Sequence, residues 1–513
     1  MSAPESRLKR SSKADVPPRE VELKLELASG TLDELLAHPA LAHLTPLAGQ
    51  SGQLHAIYFD TDDHTLYREG ISLRIRHRGE SAVQTIKAEG AKGSLAMDRS
   101  EWETPVDGEL DLSAAAGTAL EALLTDEATR ESLKPVFTVD TDRQAFEAEL
   151  DDALIEVALD RAKASGKHQE VAFSEVELEL RKGSPAALFA FARRLGETIP
   201  LRLSTVTKSE RGYRLLETAS LQPFRAEPIE LPKNATCAEA FQRVARACLT
   251  QMLRNEALVR QTQDPASLHQ MRVGLRRLRA AISLFGKQLL TDPESTTIKG
   301  DLRWAGQAMG YARDLDVLLE RITSTKAEYG KSQIGKVKRH RAGAYRDLLQ
   351  TLESRRFMDV VLKVAAWIEA GDWTTSDAPE LKQARDRLAR DFVSDELSRR
   401  FKRILKTAKR LRKRSEEERH ELRIRVKKLR YGSEFFAALF PSKKKQKRRR
   451  KLAAILEELQ EKLGELHDLT VSDSLVPSLV ETSPKQAERR RQKLLDKSKD
   501  AAKSLAKADP FWT

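Results

Sequence analysis

Hydrophobic and polar positions follow two different periods along this chain, period two up to about residue 181 and the helical period beyond about residue 235. In REVELKLEL (19–27), Val21, Leu23, Leu25 and Leu27 fall on one face of a strand and Glu20, Glu22, Lys24 and Glu26 on the other. Strand-like runs follow at 53–60, 71–78, 82–88 and 98–105, and longer ones at 136–149, 152–161 and 170–181. With the opening run these predict eight mostly sequential antiparallel strands, joined by Gly-bearing turns. Closure into a barrel is expected, because it removes exposed edges. Helical spacing is read at TLDELLAHPAL, with Thr31 as N-cap, and at 184–195.

The charges on these strands share a parity. Arg74, Arg76 and Arg78 alternate with Ile71, Leu73 and Ile75; Arg99, Glu101 and Glu103 alternate in the fifth run; Glu175, Glu177 and Glu179 alternate in the last. Lys87, Arg143 and Glu156 add single charges to other strands. For one strand the ordinary reading is a solvated outer face. Repeated across several strands, the pattern predicts that the apolar sides face covering helices such as 184–195 and the charged sides line a wet channel. Carboxylates there would suit Mg²⁺ or Mn²⁺, hard cations that favour oxygen ligands. Arginines and lysines would clamp phosphate oxygens, and a metal-polarised water could attack a terminal phosphoryl group. No G-x-x-x-x-G-K-[ST] loop is present, so phosphate chemistry here rests on side chains.

Past residue 217 the pattern changes. Residues 218–234 carry Pro223, Pro228 and Pro232 without periodicity, which places a linker there. Beyond it long amphipathic segments run to about residue 507, starting with a helix N-capped by Thr236 and ending near residue 260. Two segments repeat: LHQMRVGLRRLRAAISLF (268–285) and RHELRIRVKKLRYGSEFF (419–436) share H-x-x-R-x-x-x-[RK]-[RK]-L-R. A second pair, Gly310 to Asp314 and Gly464 to Asp468, follows each, so the region reads as two related units, about 235–390 and 391–507. On the first repeated helix His269, Arg272, Arg276 and Arg279 form a stripe opposite Met271, Leu275, Leu278 and Ile282. The second does the same with His420, Arg423, Lys427 and Arg430. Single-sign stripes that occur twice favour an anion-binding surface over a merely solvated face, and Asp314 and Asp468 would orient the arginines.

Charge sharpens this division. Across 513 residues the formal net charge is +13. Residues 1–230 hold 28 Lys and Arg against 40 Asp and Glu, a net of −12, and the remainder holds 62 against 37, a net of +25. The second half should therefore meet a polyanion: polyphosphate, nucleic acid or an anionic surface. The run KKKQKRRRK (443–451), in a loop or at a helix start, adds unspecific affinity, and a nucleic-acid patch across 400–451 is its rival reading. Two cysteines exclude a disulfide framework. Residues 1–18 read as a disordered lead-in without the apolar core of a signal peptide, and no run is long enough to span a bilayer, so a cytoplasmic location is expected.

The opening Glu20-x-Glu22-x-Lys24, Tyr58-Phe59-Asp60-Thr61, Leu73-Arg74-Ile75-Arg76, Thr85-Ile86-Lys87, Glu175 to Leu180 and Lys208 to Tyr213 together resemble the CYTH family, the triphosphate tunnel metalloenzymes, over about 19–217. The H-x-x-R pieces in duplicate, with Arg430-Tyr431, resemble the CHAD family over about 235–507. The resemblance implies an α+β chain of two domains: an eight-stranded antiparallel tunnel with flanking helices, then an all-α domain of two related bundles. It implies that Glu20, Glu22, Glu175 and Glu177 face a metal, and that Lys24, Arg74, Arg76, Lys87, Arg99, Arg143 and Lys208 clamp phosphate. Glu20, Glu22 and Lys24 would carry catalysis. Glu177 with Glu179 is the alternative acidic pair, since all three glutamates share a face. Gln144 stands where related proteins can have an acid, so one metal contact would come from elsewhere. His269, Arg272, Arg276, Arg279, Arg313, His420, Arg423, Lys427 and Arg430 would bind inorganic polyphosphate, and association with polyphosphate granules follows as an expectation. The implied activity is metal-dependent hydrolysis of tripolyphosphate to pyrophosphate and phosphate. Nucleoside or thiamine triphosphate is an alternative substrate, and a non-catalytic polyphosphate-binding protein an alternative role.

Overall fold

The computed structural model describes residues 19–27, 32–88, 97–150, 152–216, 222–324, 331–475 and 484–513. The expectations for residues 1–18, for the Thr31 cap, for part of the linker and for the Asp468 side chain lie outside the described residues. The long strands are β1 Arg19–Leu27, β2 Gly52–Asp60, β3 Ile71–Arg78, β4 Ser81–Ala88, β5 Met97–Val106, β6 Lys134–Leu150, β7 Ala153–Ser165 and β8 Glu170–Lys182. They pair antiparallel in the order β1-β5-β4-β3-β2-β6-β7-β8, and β8 returns to β1 with Lys24 opposite Glu177. The eight strands close on themselves as the alternation predicts. Between β3 and β4 the chain reverses through Gly79, whose φ of 55° lies in the left-handed region a side chain would disfavour.

A short strand escaped the sequence pattern: β9, Leu201–Ser204, pairs with the second half of β1, where Lys24 faces Ser204 and Leu27 faces Leu201. Four residues are too few for periodicity to register.

This barrel is built inside out. Its apolar positions point away from the lumen: Leu23, Leu25, Val176, Leu178, Leu201 and Leu203 pack with Leu188, Phe189, Phe191 and Leu195 of α1 (Pro185–Gly196). On another side Phe59, Leu73, Ile75 and Ile86 cluster with Leu66 and Leu120. Burying such a side chain contributes about 1.5–3 kcal/mol, so covered outer faces hold the barrel while its interior stays polar. An aromatic plug adjoins the lumen and shares Tyr58 and Val139 with its lining. Tyr213 of α2 (Lys208–Leu216) packs among Tyr58, Phe137, Val139 and Ala162 and stacks on Tyr67 at 4.1 Å between centroids. Its hydroxyl donates to Asp60 at 2.7 Å, and Asp60 also accepts from the backbone N of Thr61, Leu66 and Tyr67. A Cβ at Gly212 would fall 2.1 Å from the Phe137 ring. Gly212→Ala should therefore lift α2 off the plug and lower stability by about 1–3 kcal/mol, read as a fall in the chemical-denaturation midpoint.

The rest is helical: α3 Cys237–Thr262, α4 Pro265–Phe285, α5 Pro293–Ala308, α6 Gly310–Ser324, α7 Lys331–Glu353, α8 Arg355–Ala370, α9 Ala389–Ala408, α10 Glu416–Phe435, α11 Lys443–Leu475 and α12 Pro484–Ala506. Thr236 caps α3 in a reciprocal capping box with Glu239. The basic run 443–451 forms the first turns of α11. Phe285 at the end of α4 stacks on Phe392 at 4.9 Å and meets Phe436 at 6.0 Å, so the two repeats share one core. That core is continuous with the barrel's outer layer through Trp367 and Leu362 of α8 and the apolar face of α1. No helix among the described residues is long and apolar enough to cross a membrane.

Candidate active site

The charged faces of the strands enclose a cavity of about 160 Å³. Its lining includes the cations Lys24, Arg74, Arg76, Lys87, Arg99, Arg143, Arg181 and Lys208 and the carboxylates Glu20, Glu22, Glu101, Glu103, Glu156, Glu177 and Glu179. Strand register explains why they meet. Glu20 lies opposite Arg99, Lys87 opposite Glu101, Arg143 opposite Asp160, and Glu179 opposite both Glu22 and Glu156.

The first group surrounds Glu20. Lys87 Nζ donates to its two oxygens at 2.9 and 2.7 Å and lies 3.1 Å from Glu101, while Arg99 bonds Glu22 and lies 3.5 Å from Glu20. Burial alone would raise the Glu20 pKa, but Lys87 and Arg99 hold it at about 2. The second group surrounds Glu177. Lys24 bonds Glu177 and lies 3.3 Å from Glu22. Arg143 grips Asp160 through Nε at 2.7 Å and Nη2 at 2.6 Å, and reaches Glu177 at 2.6 Å. Lys208 Nζ sits among Asp160 (2.8 Å), Glu175 (2.5 Å) and Glu177 (2.9 Å). Desolvation opposes charge on these groups. Even so, the Lys208, Lys24 and Arg143 charges drive Glu177 well below the ordinary carboxylate range, and the carboxylates raise Lys24 and Lys208.

Despite burial, Tyr58, Glu101 and Glu103 raise the Arg74 pKa, whereas Arg76 is less compensated. Arg74 has the Tyr58 hydroxyl at 3.4 Å, and Arg76 has Glu103 at 3.1 Å. Burial and the neighbouring Arg74 lower the Arg76 pKa, the mark of a cation short of negative charge. Arg78, on the same face, turns to the backbone oxygens of Gly49 and Gln50. Glu179 shows the reverse: burial, with Glu20 and Glu156 nearby and Arg181 opposing, pushes its carboxyl to about 7. A carboxyl crowded in this way suits a site that takes a cation.

Glu177 and Glu179 line the cavity, whereas Glu175 is fully buried on Lys208. Asp160 escaped the sequence reading. It continues the parity of Glu156 through Ala158, and its burial beside two cations makes it part of the acidic set. Its oxygens, with those of Glu175 and Glu177, lie within 4.8 Å of one another. Gln144 is exposed on the outer face, so the carboxylate beside Arg143 comes from Asp160.

In the helical region the stripes lie half-buried along α4 and α10. His269 is held down at about 4 by burial and by the charges of Arg313, Arg276, Arg272 and Lys427, which shows that both repeats contribute to its surroundings. His420 is lowered by burial, Arg423 and the same Lys427. Arg272 donates to the Gly306 carbonyl at 3.1 Å and feels the charge of Asp314. A Cβ at Gly310 would meet Arg272 Nη1 at 3.5 Å, and one at Gly464 would meet Arg423 Nη2 at 3.4 Å. The two repeated motifs therefore touch each other within each unit, arginine against glycine. Arg279 is exposed beside Arg303, and Arg430 is held by Glu434 at 3.0 Å and Gln460 at 3.2 Å.

Comparison with known proteins agrees with this division. Residues 18–213 match the model of the CYTH domain and residues 243–477 that of the CHAD domain. An inorganic triphosphatase of Haemophilus influenzae is 31% identical over 198 residues, 38% of this chain and 55% of that protein, so the chain spans about half the length of this curated relative. An uncharacterised Mycobacterium tuberculosis protein is 26% identical over 401 residues, 70% of this chain and 71% of that one. The solved CHAD domain of Ricinus communis is 30% identical and covers 55% of this chain and 96% of its own, with a TM-score of 0.46. Charged tunnel and duplicated basic helices thus have their counterparts in known families: the chain is a CYTH domain followed by a CHAD domain.

Proposed function

We propose that this chain is an inorganic triphosphatase, dependent on Mg²⁺ or Mn²⁺, that cleaves tripolyphosphate in its tunnel and binds polyphosphate on its helical domain. The observation that carries the reading is the lumen in which cations and carboxylates from seven of the eight long strands face one cavity. Arg74, Arg76, Lys87 and Arg99 would hold phosphate oxygens, and the undercompensated Arg76 would gain most from an anion. Lys24 and Lys208 stay protonated and would oppose charge building on the phosphoryl group under attack. Glu20, Glu22, Glu177 and Glu179 present oxygens to the lumen and fit a hard divalent cation. Such a cation, when bound, supplies charge neutralisation and a water of lowered pKa. Among the described residues that line the lumen Tyr58 is the one aromatic, which favours inorganic triphosphate over nucleotides.

Phosphate release from tripolyphosphate, pyrophosphate, long polyphosphate and ATP, with each metal and after chelation, tests this. Release confined to ATP or thiamine triphosphate would replace the substrate. Tight polyphosphate binding with no release would favour the binding-protein reading.

The helical surface carries its own test. Burial and the surrounding cations hold His269 at about 4, so it is neutral near pH 7, and a polyanion that offsets those charges raises its pKa. Polyphosphate binding should then take up protons and strengthen as pH falls from 7 towards 5.5. Calorimetry in two buffers of different ionisation enthalpy reads the uptake; His269→Gln should reduce it, and His269→Gln with His420→Gln should remove it.

A further inference from the structure

One face of α3 is turned on the tunnel domain. Arg254 donates to Glu210 of α2 at 3.3 Å, and Asn255 holds the Phe224 backbone at 3.1 and 2.8 Å. Glu256, 2% exposed, accepts from Arg202 of β9 at 2.5 Å. One turn later Arg260 Nε lies 3.7 Å from Glu256, and its Nη1 lies 3.8 Å from Glu26 of β1.

Glu26 shares the charged face of β1 but is not among the residues lining the cavity. Its Oε2 lies 3.8 Å from Arg211 Nη2 on α2, and Arg211 Nε lies 4.0 Å from Glu175 Oε2. Glu175 Oε1 in turn bonds Lys208. Charges therefore alternate in sign without a break from Arg202, through α3, to the ammonium in the lumen. The middle links are ion pairs rather than hydrogen bonds, and Arg211 Nε, Arg211 Nη2 and Glu175 Oε2 are buried without a hydrogen-bond partner. Groups held by mutual charge in a buried setting shift when a neighbour's charge is removed.

We infer that Glu26, Arg211 and Arg260 are positioning residues that set Glu175, and through it Lys208, so that the first helix of the helical domain is a working part of the tunnel. This rests on the triphosphatase reading of the site. In the full chain, Arg260→Gln and Glu26→Gln each lower kcat for tripolyphosphate about 2- to 30-fold, while KM changes little because the lumen arginines stay in place. Arg260→Lys restores most of the rate. The double variant is no slower than the worse single one, as expected for neighbours in one chain of charges. Arg246→Gln, which breaks the Arg246–Glu369 pair within the helical domain, leaves kcat unchanged.

Unchanged kcat in both single variants, or an additive double variant, overturns the relay. A wild-type chain that releases no phosphate would instead defeat the triphosphatase reading. The relay is then judged from the ¹³Cε resonance of Lys208 in lysine-labelled full chain: a shift in both variants supports it, and an unmoved resonance rejects it.

Discussion

Lys24→Ala is expected to lower kcat for tripolyphosphate by about 10²- to 10³-fold, the usual cost of removing one preorganised charge from a transition state. Lys24 stands between the two charge groups of the tunnel, bonded to Glu177 and 3.3 Å from Glu22. Its loss removes a cation from the proposed phosphate path and leaves two carboxylates facing each other across β1 and β8. Both effects act on the same step, because an anionic substrate meets less attraction and more repulsion. Added salt would not compensate, since the group is almost fully buried and poorly screened. Steady-state phosphate release at saturating substrate measures the effect; a rate within about twofold of wild type would reject the assigned role.

The second large effect concerns stability. Asp160→Ala removes a fully buried carboxylate from Arg143, which it binds through both oxygens, and from Lys208. Two buried cations are left short of a partner, and breaking such a buried set costs about 3–5 kcal/mol. Asp160→Asn keeps the shape but loses the charge, so its cost should fall between alanine and wild type. Urea unfolding followed by near-ultraviolet circular dichroism reads the difference.

Acid should act on the same network. Asp160, Glu177 and Glu20 all have folded-state pKa values below their ordinary ones, with Glu20 at about 2 against 4.5. Such a group contributes its stability in full above the unfolded value and loses it as pH falls through the folded one. The tunnel should therefore weaken between about pH 4.5 and pH 2, and less steeply in Asp160→Ala. A flat stability profile across that window would show that these ion pairs leave the fold unaffected.

Much of this site was readable along the chain because a strand has period two. Once Glu20, Glu22 and Lys24 share a face, their neighbours across the register must share it too, and so do Arg74 with Arg76 and Glu177 with Glu179. Asp160 obeyed the same rule but stood at the end of its run, two positions past an alanine. In the helical half, the doubled H-x-x-R motif showed which face carries the cations. It could not show that Lys427 of the second repeat stands near His269 of the first.

Parity also has a limit, because it assigns a face and not a depth. Glu175, Glu177 and Glu179 are equivalent by alternation, yet Glu175 is buried against Lys208 and the other two line the cavity. The sequence by itself determined two regions, a barrel with a charged interior and duplicated basic helices, since periodicity and charge sign are local properties. Only the tertiary structure decided how those charges pair. It joins Asp160 to Arg143 and Lys208, and it brings Glu26 to an arginine of α3 more than two hundred residues away. Partner choice among like residues depends on distances set by closure and docking, which no single strand or helix encodes.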